Sequence, residues 1–290
     1  MIKIIQKRKI WFSIAGVLAV ASIIALFTWH LKFGTDFTGG SLMELNFTSN
    51  RPTVTEIQDK LADLNLGSLV AQPVGDTGII LRFQDTSNDV HKKVLEKFGT
   101  SAEELQFNAI GPSIGAELKK KTFYALAFSI LAMLIFIAYV FRKVSRPVES
   151  WKYGLASIIA LAFNVLVVLG VFAVLGKFLG MEINTPFIAA LLTILGFTIN
   201  DTIVVFDRIR ENLPKSDLDF EGTVNASINQ TLVRSINTSS TVILVLLSIL
   251  IFGGTTIRDF TLAMTIGVAI GTWSSIFLAS PLLLLFQEKD

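Results

Sequence analysis

One aspartate, Asp201, lies inside an apolar run spanning 186–206, in the stretch GFTINDTIVVF. The apolar runs 10–31, 123–141, 155–175 and 260–286 hold no acidic residue at all. A charge in hydrocarbon is costly, so an ionisable group within a membrane-length run is a functional candidate by default. Asp201 falls about five residues, or roughly 7 Å, from the end of its run. The following run, 235–252, begins directly after Arg234. Consecutive antiparallel helices often pack as neighbours, and an arginine stem reaches several ångströms. Asp201 and Arg234 are therefore expected to meet at similar depth. Desolvation favours the neutral acid, and a nearby guanidinium favours the carboxylate. Small movements of Arg234 would then decide whether Asp201 holds a proton. The same pair also reads as a structural ion pair, and spacing leaves both readings open.

Polar residues flank this pair at helical spacing. Asn200, Gly196 and Thr193 share one face of the fourth run, and Asn200 joins Asp201 and Arg234 as a candidate for proton transfer. Arg234, Thr238, Thr241 and Ser248 line one face of the fifth run, as do Thr261, Thr265, Thr272 and Ser275 in the sixth. Such hydroxyls also serve ordinary close helix packing. Asn164, alone in the third run, fits an interhelical hydrogen bond.

A second candidate is the stretch GTDFTGGSLMEL from Gly34. It lacks the Lys-Ser/Thr of a phosphate loop, and no helix is expected after it. It reads as a joint where a helix hands over to a strand. Gly39 and Gly40 would supply unusual backbone angles. Asp36 would fix the turn through backbone hydrogen bonds. With Gly34 and Phe37, these residues make a hinge candidate.

The elements that must position these groups follow from composition. The chain has 290 residues, 52% of them hydrophobic, with a net charge of +2 and no cysteine. Disulfides and thiolate metal sites are excluded, and two distant histidines, His30 and His91, make a poor metal site. Six runs can cross ~30 Å of hydrocarbon: 10–31, 123–141, 155–175, 186–206, 235–252 and 260–286. Lys3, Lys7, Arg8 and Lys9, then Arg142, Lys143, Arg146 and Lys152, then Arg208, Arg210, Lys215 and Arg234 fall on one side. By the positive-inside rule both termini are expected in the cytoplasm, with the first run a retained anchor.

The polar segment 33–120 is then extracytoplasmic. SLMELNF alternates like a half-buried strand. Thr53 and Glu56 make a capping box for the helix TVTEIQDKLADL. SLVAQPV and TGIILRF read as strands, SNDVHKKVLEKFG as a helix ended by glycine, and EELQFNAIG as a last strand. The order is βαββαβ, a ferredoxin-like α+β domain. GAELKKK is expected to be a short surface helix before the second run, and EGTVNASINQTLVRS an interfacial helix before the fifth. The predicted fold is thus a polytopic α-helical membrane protein of six transmembrane helices with one ferredoxin-like domain between the first two. Its parts are 1–32, 33–120 and 121–290. There is no nucleophile–base pair, nucleotide loop or metal cluster in the sequence. An enzyme, a cofactor and a nucleic-acid partner are not expected, and membrane lipid is.

GTDFTGG, GPSIGAELKKK, GFTINDTIVVFDRIREN and SINQTLVRSINTSSTV together resemble the SecD–SecF family of protein-export membrane proteins, over nearly the whole chain. The resemblance implies membership of the resistance-nodulation-division superfamily. It implies a heterodimer with a SecD-like subunit that supplies the other half of a twelve-span unit. It further implies work on a translocating preprotein at the SecYEG channel, driven by the proton-motive force, in the bacterial cytoplasmic membrane. By motif match, Asp201 and Arg234 would take part in proton passage. A proton-coupled small-molecule efflux transporter and a non-transporting scaffold stand as alternatives.

Overall fold

A computed structural model describes residues 1–141, 148–254 and 257–287. Arg142, Lys143 and Arg146, used above for orientation, lie outside the described residues. The chain divides into a helical unit (Met1–Leu31, Ala125–Met181, Pro186–Asp290) and an α+β unit (Lys32–Tyr124, Glu182–Thr185).

In the α+β unit the strands are β1 (Gly40–Phe47), β2 (Val70–Val74), β3 (Gly78–Phe83) and β4 (Ala102–Ile110). They form an antiparallel sheet in the order β2-β3-β1-β4. With helices α3 (Val54–Leu61) and α4 (Asn88–Phe98) this is the expected βαββαβ arrangement. Alternation decides the faces. Met43, Leu45 and Phe47 of β1, with Ile79, Leu81 and Phe83 of β3, point inward to Ile57, Leu61, Val94 and Phe98. Burying each such side chain contributes roughly 1.5–3 kcal/mol. Helix α3 starts at the predicted capping box: Thr53 Oγ1 accepts from Glu56 N at 3.3 Å, and Glu56 Oε2 accepts from Thr53 N at 2.8 Å. Helix α4 is capped by Ser87 and closes at Gly99.

Six helices among the described residues are long and apolar enough to cross a membrane. They are α1 (Arg8–Trp29), α5 (Pro112–Val140), α6 (Ser150–Leu179), α7 (Thr185–Asn212), α8 (Phe220–Phe252), and α9 (Arg258–Ser274) extended by α10 (Ser280–Leu285).

Three boundaries differ from expectation. GAELKKK is not a separate surface helix: α5 runs unbroken from Pro112, a favourable first helical residue. The segment before the fifth run is not a separate helix either: it is the first part of α8. Asp219 caps α8 by accepting from Gly222 N at 2.9 Å, and beyond Gly222 no glycine or proline follows until Gly253. Val224 and Ile228 are fully buried in the helical core. Finally, the sixth span is interrupted by a π turn, Ser275–Ala279. Pro281 has no N–H for the carbonyl four residues back. Within the same turn, Ser280 Oγ donates to the Ser275 carbonyl at 2.9 Å.

A strap of residues 2–5 ties down the start of α8. Asn225 Oδ1 accepts from Ile4 N at 3.0 Å and Ile5 N at 3.2 Å, and Asn225 Nδ2 donates to Ile2 O at 3.1 Å. Asn229 holds both Ile2 N (2.8 Å) and Ile2 O (2.9 Å). Ile4 and Ile5 are buried beneath.

Candidate functional site

Asp201 points into the helical unit and is 9% exposed. Its carboxylate is bonded by two hydroxyls. Ser235 Oγ of α8 donates to Oδ1 at 2.5 Å, and Ser275 Oγ donates to Oδ2. Ser275 opens the π turn, and such turns are rare and frequently found at functional sites. Ser275 Oγ is also 3.0 Å from the Thr272 carbonyl. One hydroxyl proton thus has two acceptors. A second hydroxyl pair, Ser239 and Thr272, is 2.5 Å apart, and Thr272 Oγ1 reaches the Val268 carbonyl at 3.0 Å. Thr198 is on α7, one turn before Asp201. Its Oγ1 is buried without a hydrogen-bond partner among the described residues. A Cβ on Gly271 would lie 2.3 Å from that oxygen, so glycine permits α9 to approach α7 there.

The expected meeting of Asp201 and Arg234 does not occur: no ion pair joins them among the described residues. The reason is angular. Ser235 faces Asp201, and adjacent residues of a helix point ~100° apart. Arg234 is exposed and lines a cleft of about 290 Å³ with Asp207, Arg208, Glu211, Gln230 and Thr231. In that cleft Arg208 pairs with Glu211 at 2.7 Å and bonds Gln230 Oε1. Asn200 is likewise exposed, next to buried Asp201.

The polar stripe of α8 is corrected in the same sense. Thr238, Thr241 and Ser248 are exposed. The inward hydroxyls are Thr223, Ser227, Thr231, Ser235 and Ser239, all buried at steps of four. That period was present in the sequence, one residue out of register from the stripe built on Arg234. Asn164 is buried, but no interhelical bond forms: neither amide atom has a partner among the described residues.

The GTDFTGG stretch belongs to the α+β unit. It contains one helical turn, α2 (Thr35–Thr38), which the sequence reading did not expect. Phe37 is buried and stands edge-on to Phe33 at 6.0 Å. Gly39 and Gly40 have φ of +75° and +123°. A Cβ on Gly39 would lie 2.8 Å from Pro112 Cα, and one on Gly40 2.6 Å from the Phe83 carbonyl oxygen. Glycine is needed here for backbone angle and for space together. Asp36 does not bond within its own turn: its Oδ2 accepts from Thr185 N at 2.8 Å. Gly34 N donates to Ile183 O at 2.7 Å, and Ile183 N to Lys32 O at 2.7 Å.

Residues 90–289 match the family model "Protein export membrane protein SecD/SecF, C-terminal", and 24–50 match "SecD/SecF GG Motif". The chain belongs to the SecD/SecF protein-export family. It is 41% identical to protein translocase subunit SecF of Thermobaculum terrenum, covering 100% of this chain and 95% of that one. Against the SecF subunit of Anaerolinea thermophila it is 36% identical, covering 100% and 96%. The crystal structure of SecDF, a translocon-associated membrane protein from Thermus thermophilus, superposes with a TM-score of 0.86 at 31% identity. That alignment covers 98% of this chain and 38% of the other. A SecDF structure in a super-membrane-facing form gives 0.69 at the same identity and coverage. The protein is accordingly a SecF-like export subunit and a multi-pass membrane protein. Asp201, Ser235 and Ser275 lie within the region matched by the SecD/SecF C-terminal model, and Gly34–Gly40 within the GG motif.

Proposed function

We propose that this SecF-like chain pairs with a SecD-like subunit and couples proton passage at Asp201 to late preprotein export through the SecYEG channel. The observation that carries this is a buried carboxylate on a membrane-length helix, held by two serine hydroxyls of which one has a second acceptor. In the charged state, Ser235 and Ser275 stabilise the carboxylate by charge-assisted bonds. When Asp201 takes a proton, that demand lapses and Ser275 turns to the Thr272 carbonyl. The change falls at the π turn Ser275–Ala279, a kind of irregularity frequently found at functional sites. Arg234 and Asn200 present polar groups on faces this chain leaves uncovered. Hydrocarbon offers no hydrogen bonds, which favours a second polytopic chain over lipid there. A SecD-like half fits, since the SecDF relative is a longer chain of which this one spans 38%.

The membrane is the bacterial cytoplasmic membrane, with both termini cytoplasmic on the strength of Lys3, Lys7, Arg8 and Lys9. The α+β unit is then extracytoplasmic and placed to meet the emerging chain. In inverted membrane vesicles, Asp201→Asn should leave complex assembly intact and remove the part of export that depends on the proton-motive force. Undiminished stimulation in that variant would contradict the proposal.

A further inference from the structure

We infer that Ser239, Thr272 and Thr198 form a gate that closes Asp201 off on the side where α7 begins, and that protons cross only when it parts. The inference deepens the proposed function and rests on its reading of Asp201. The three hydroxyls are buried, one each from α8, α9 and α7. Thr198 is three residues before Asp201, Ser239 four after Ser235, and Thr272 three before Ser275. Consecutive spans alternate in direction, so each of these steps is about one turn toward the start of α7. Together they make a second layer behind the one that holds the carboxylate. Ser239 and Thr272 are 2.5 Å apart, and Thr272 Oγ1 is 3.0 Å from the Val268 carbonyl. With the Thr272 proton on that carbonyl, Ser239 is the donor of the pair. Neither proton then points at Asp201, and no hydrogen bond joins the two layers among the described residues. The layer therefore blocks a proton instead of relaying it.

The two sides of Asp201 differ. Beyond the hydroxyl layer the next turn is apolar: Ile194 of α7 sits directly on Gly267 of α9, where a Cβ would overlap its side chain. On the opposite side the cleft at Arg234 reaches Val204 and Thr231, each about one turn from Asp201 or Ser235. In the orientation proposed above, the cleft is cytoplasmic and the sealed side extracytoplasmic. The seal is also poised to part. Thr198 Oγ1 lies against Gly271 without a hydrogen-bond partner among the described residues, and a buried hydroxyl left unbonded is costly. Separation of Ser239 from Thr272 admits water, which gives Thr198 its partner in the open state. Thr198 thus offsets part of the cost of opening. It is a positioning residue, acting on the equilibrium of the gate and not on the proton itself.

The chain has no cysteine, so Ser239→Cys with Thr272→Cys tests the gate in vesicles holding the full complex with a cysteine-free partner. The pair should oxidise to a disulfide, since the two oxygens it replaces are already in contact. Proton entry after an acid pulse should then fall to the level of empty vesicles and return on reduction. Failure to oxidise, or proton entry that does not differ between the oxidised and reduced forms, would overturn the gate. Thr198→Val keeps the shape and removes the unbonded hydroxyl. It should lower proton entry about fivefold with complex yield unchanged and the thermal midpoint unchanged or raised, whereas Thr198→Ser should pass protons like the parent. Entry in Thr198→Val equal to that of the parent, or reduced only in step with a lowered midpoint, would contradict the role of Thr198. Asp201→Asn separates the two readings. If it admits protons normally while the disulfide still blocks them, the role of Asp201 fails and the gate stands; if it blocks entry and the disulfide does not, the gate fails and Asp201 stands.

Discussion

Ser275 has one proton and a choice between the Asp201 carboxylate and the Thr272 carbonyl. Hydrogen bonds to a charged group are worth about 1.5–3 kcal/mol, so removing one changes an equilibrium at the site by about tenfold or more. Ser275→Ala is expected to depress proton-driven export by about that factor, and Ser275→Thr, which keeps the hydroxyl, to retain most of it; the export assay with an imposed gradient reads both. A surface contrast is Asp63, whose carboxyl is held below its ordinary 3.8 by the hydrogen bond from Lys97 at 2.6 Å. A depressed carboxyl stabilises the fold above its unfolded value and loses that contribution as pH falls through its lower folded value. Asp63→Asn should therefore be slightly less stable at neutral pH, with the difference beginning to fade as pH falls past 3.8 and gone only below the lower folded value, in a melting series. Asp201 was legible in the sequence because acidic residues in apolar runs are rare. Its serine partners were not, because serine and threonine are common in packed membrane helices. The period of four from Thr223 to Ser239 was there, but Arg234 drew the stripe to the neighbouring register.

Among elements, the βαββαβ order was readable from alternation, the Thr53 capping box and Gly99. The glycines of the joint were readable as to type, though not as to what crowds them. Gly40→Ala would force a Cβ against the Phe83 carbonyl at positive φ. It should cost about 1–3 kcal/mol, seen as a lower thermal midpoint of the purified protein. The continuity of α8 was missed because polarity early in the helix looked like a membrane surface. Its polar residues instead hold residues 2–5 through Asn225 and Asn229. Asn225→Ala would leave the Ile5 amide without its acceptor, while Ile4 N keeps the Ile2 carbonyl and Ile2 O keeps Asn229 Nδ2. A destabilisation of about 1–3 kcal/mol, with faster protease cleavage near the strap, is the expected result. The π turn had a visible signal in Pro281, whose missing N–H must be accommodated within the turn before it.

For the whole molecule, six spans and one inserted α+β domain followed from hydropathy and alternation. The placement of Glu182–Thr185 in the α+β unit did not, because so short a segment carries no periodicity and its partners, Asp36 and Arg82, are a hundred or more positions away in sequence. The most direct test is proton entry into vesicles containing the reconstituted complex, measured after an acid pulse and normalised to complex yield. The parent should admit protons, and Asp201→Asn at equal yield should fall to the level of empty vesicles. Proton entry that persists in Asp201→Asn, or falls only in proportion to a loss of assembled complex, would contradict a proton-transfer role for Asp201.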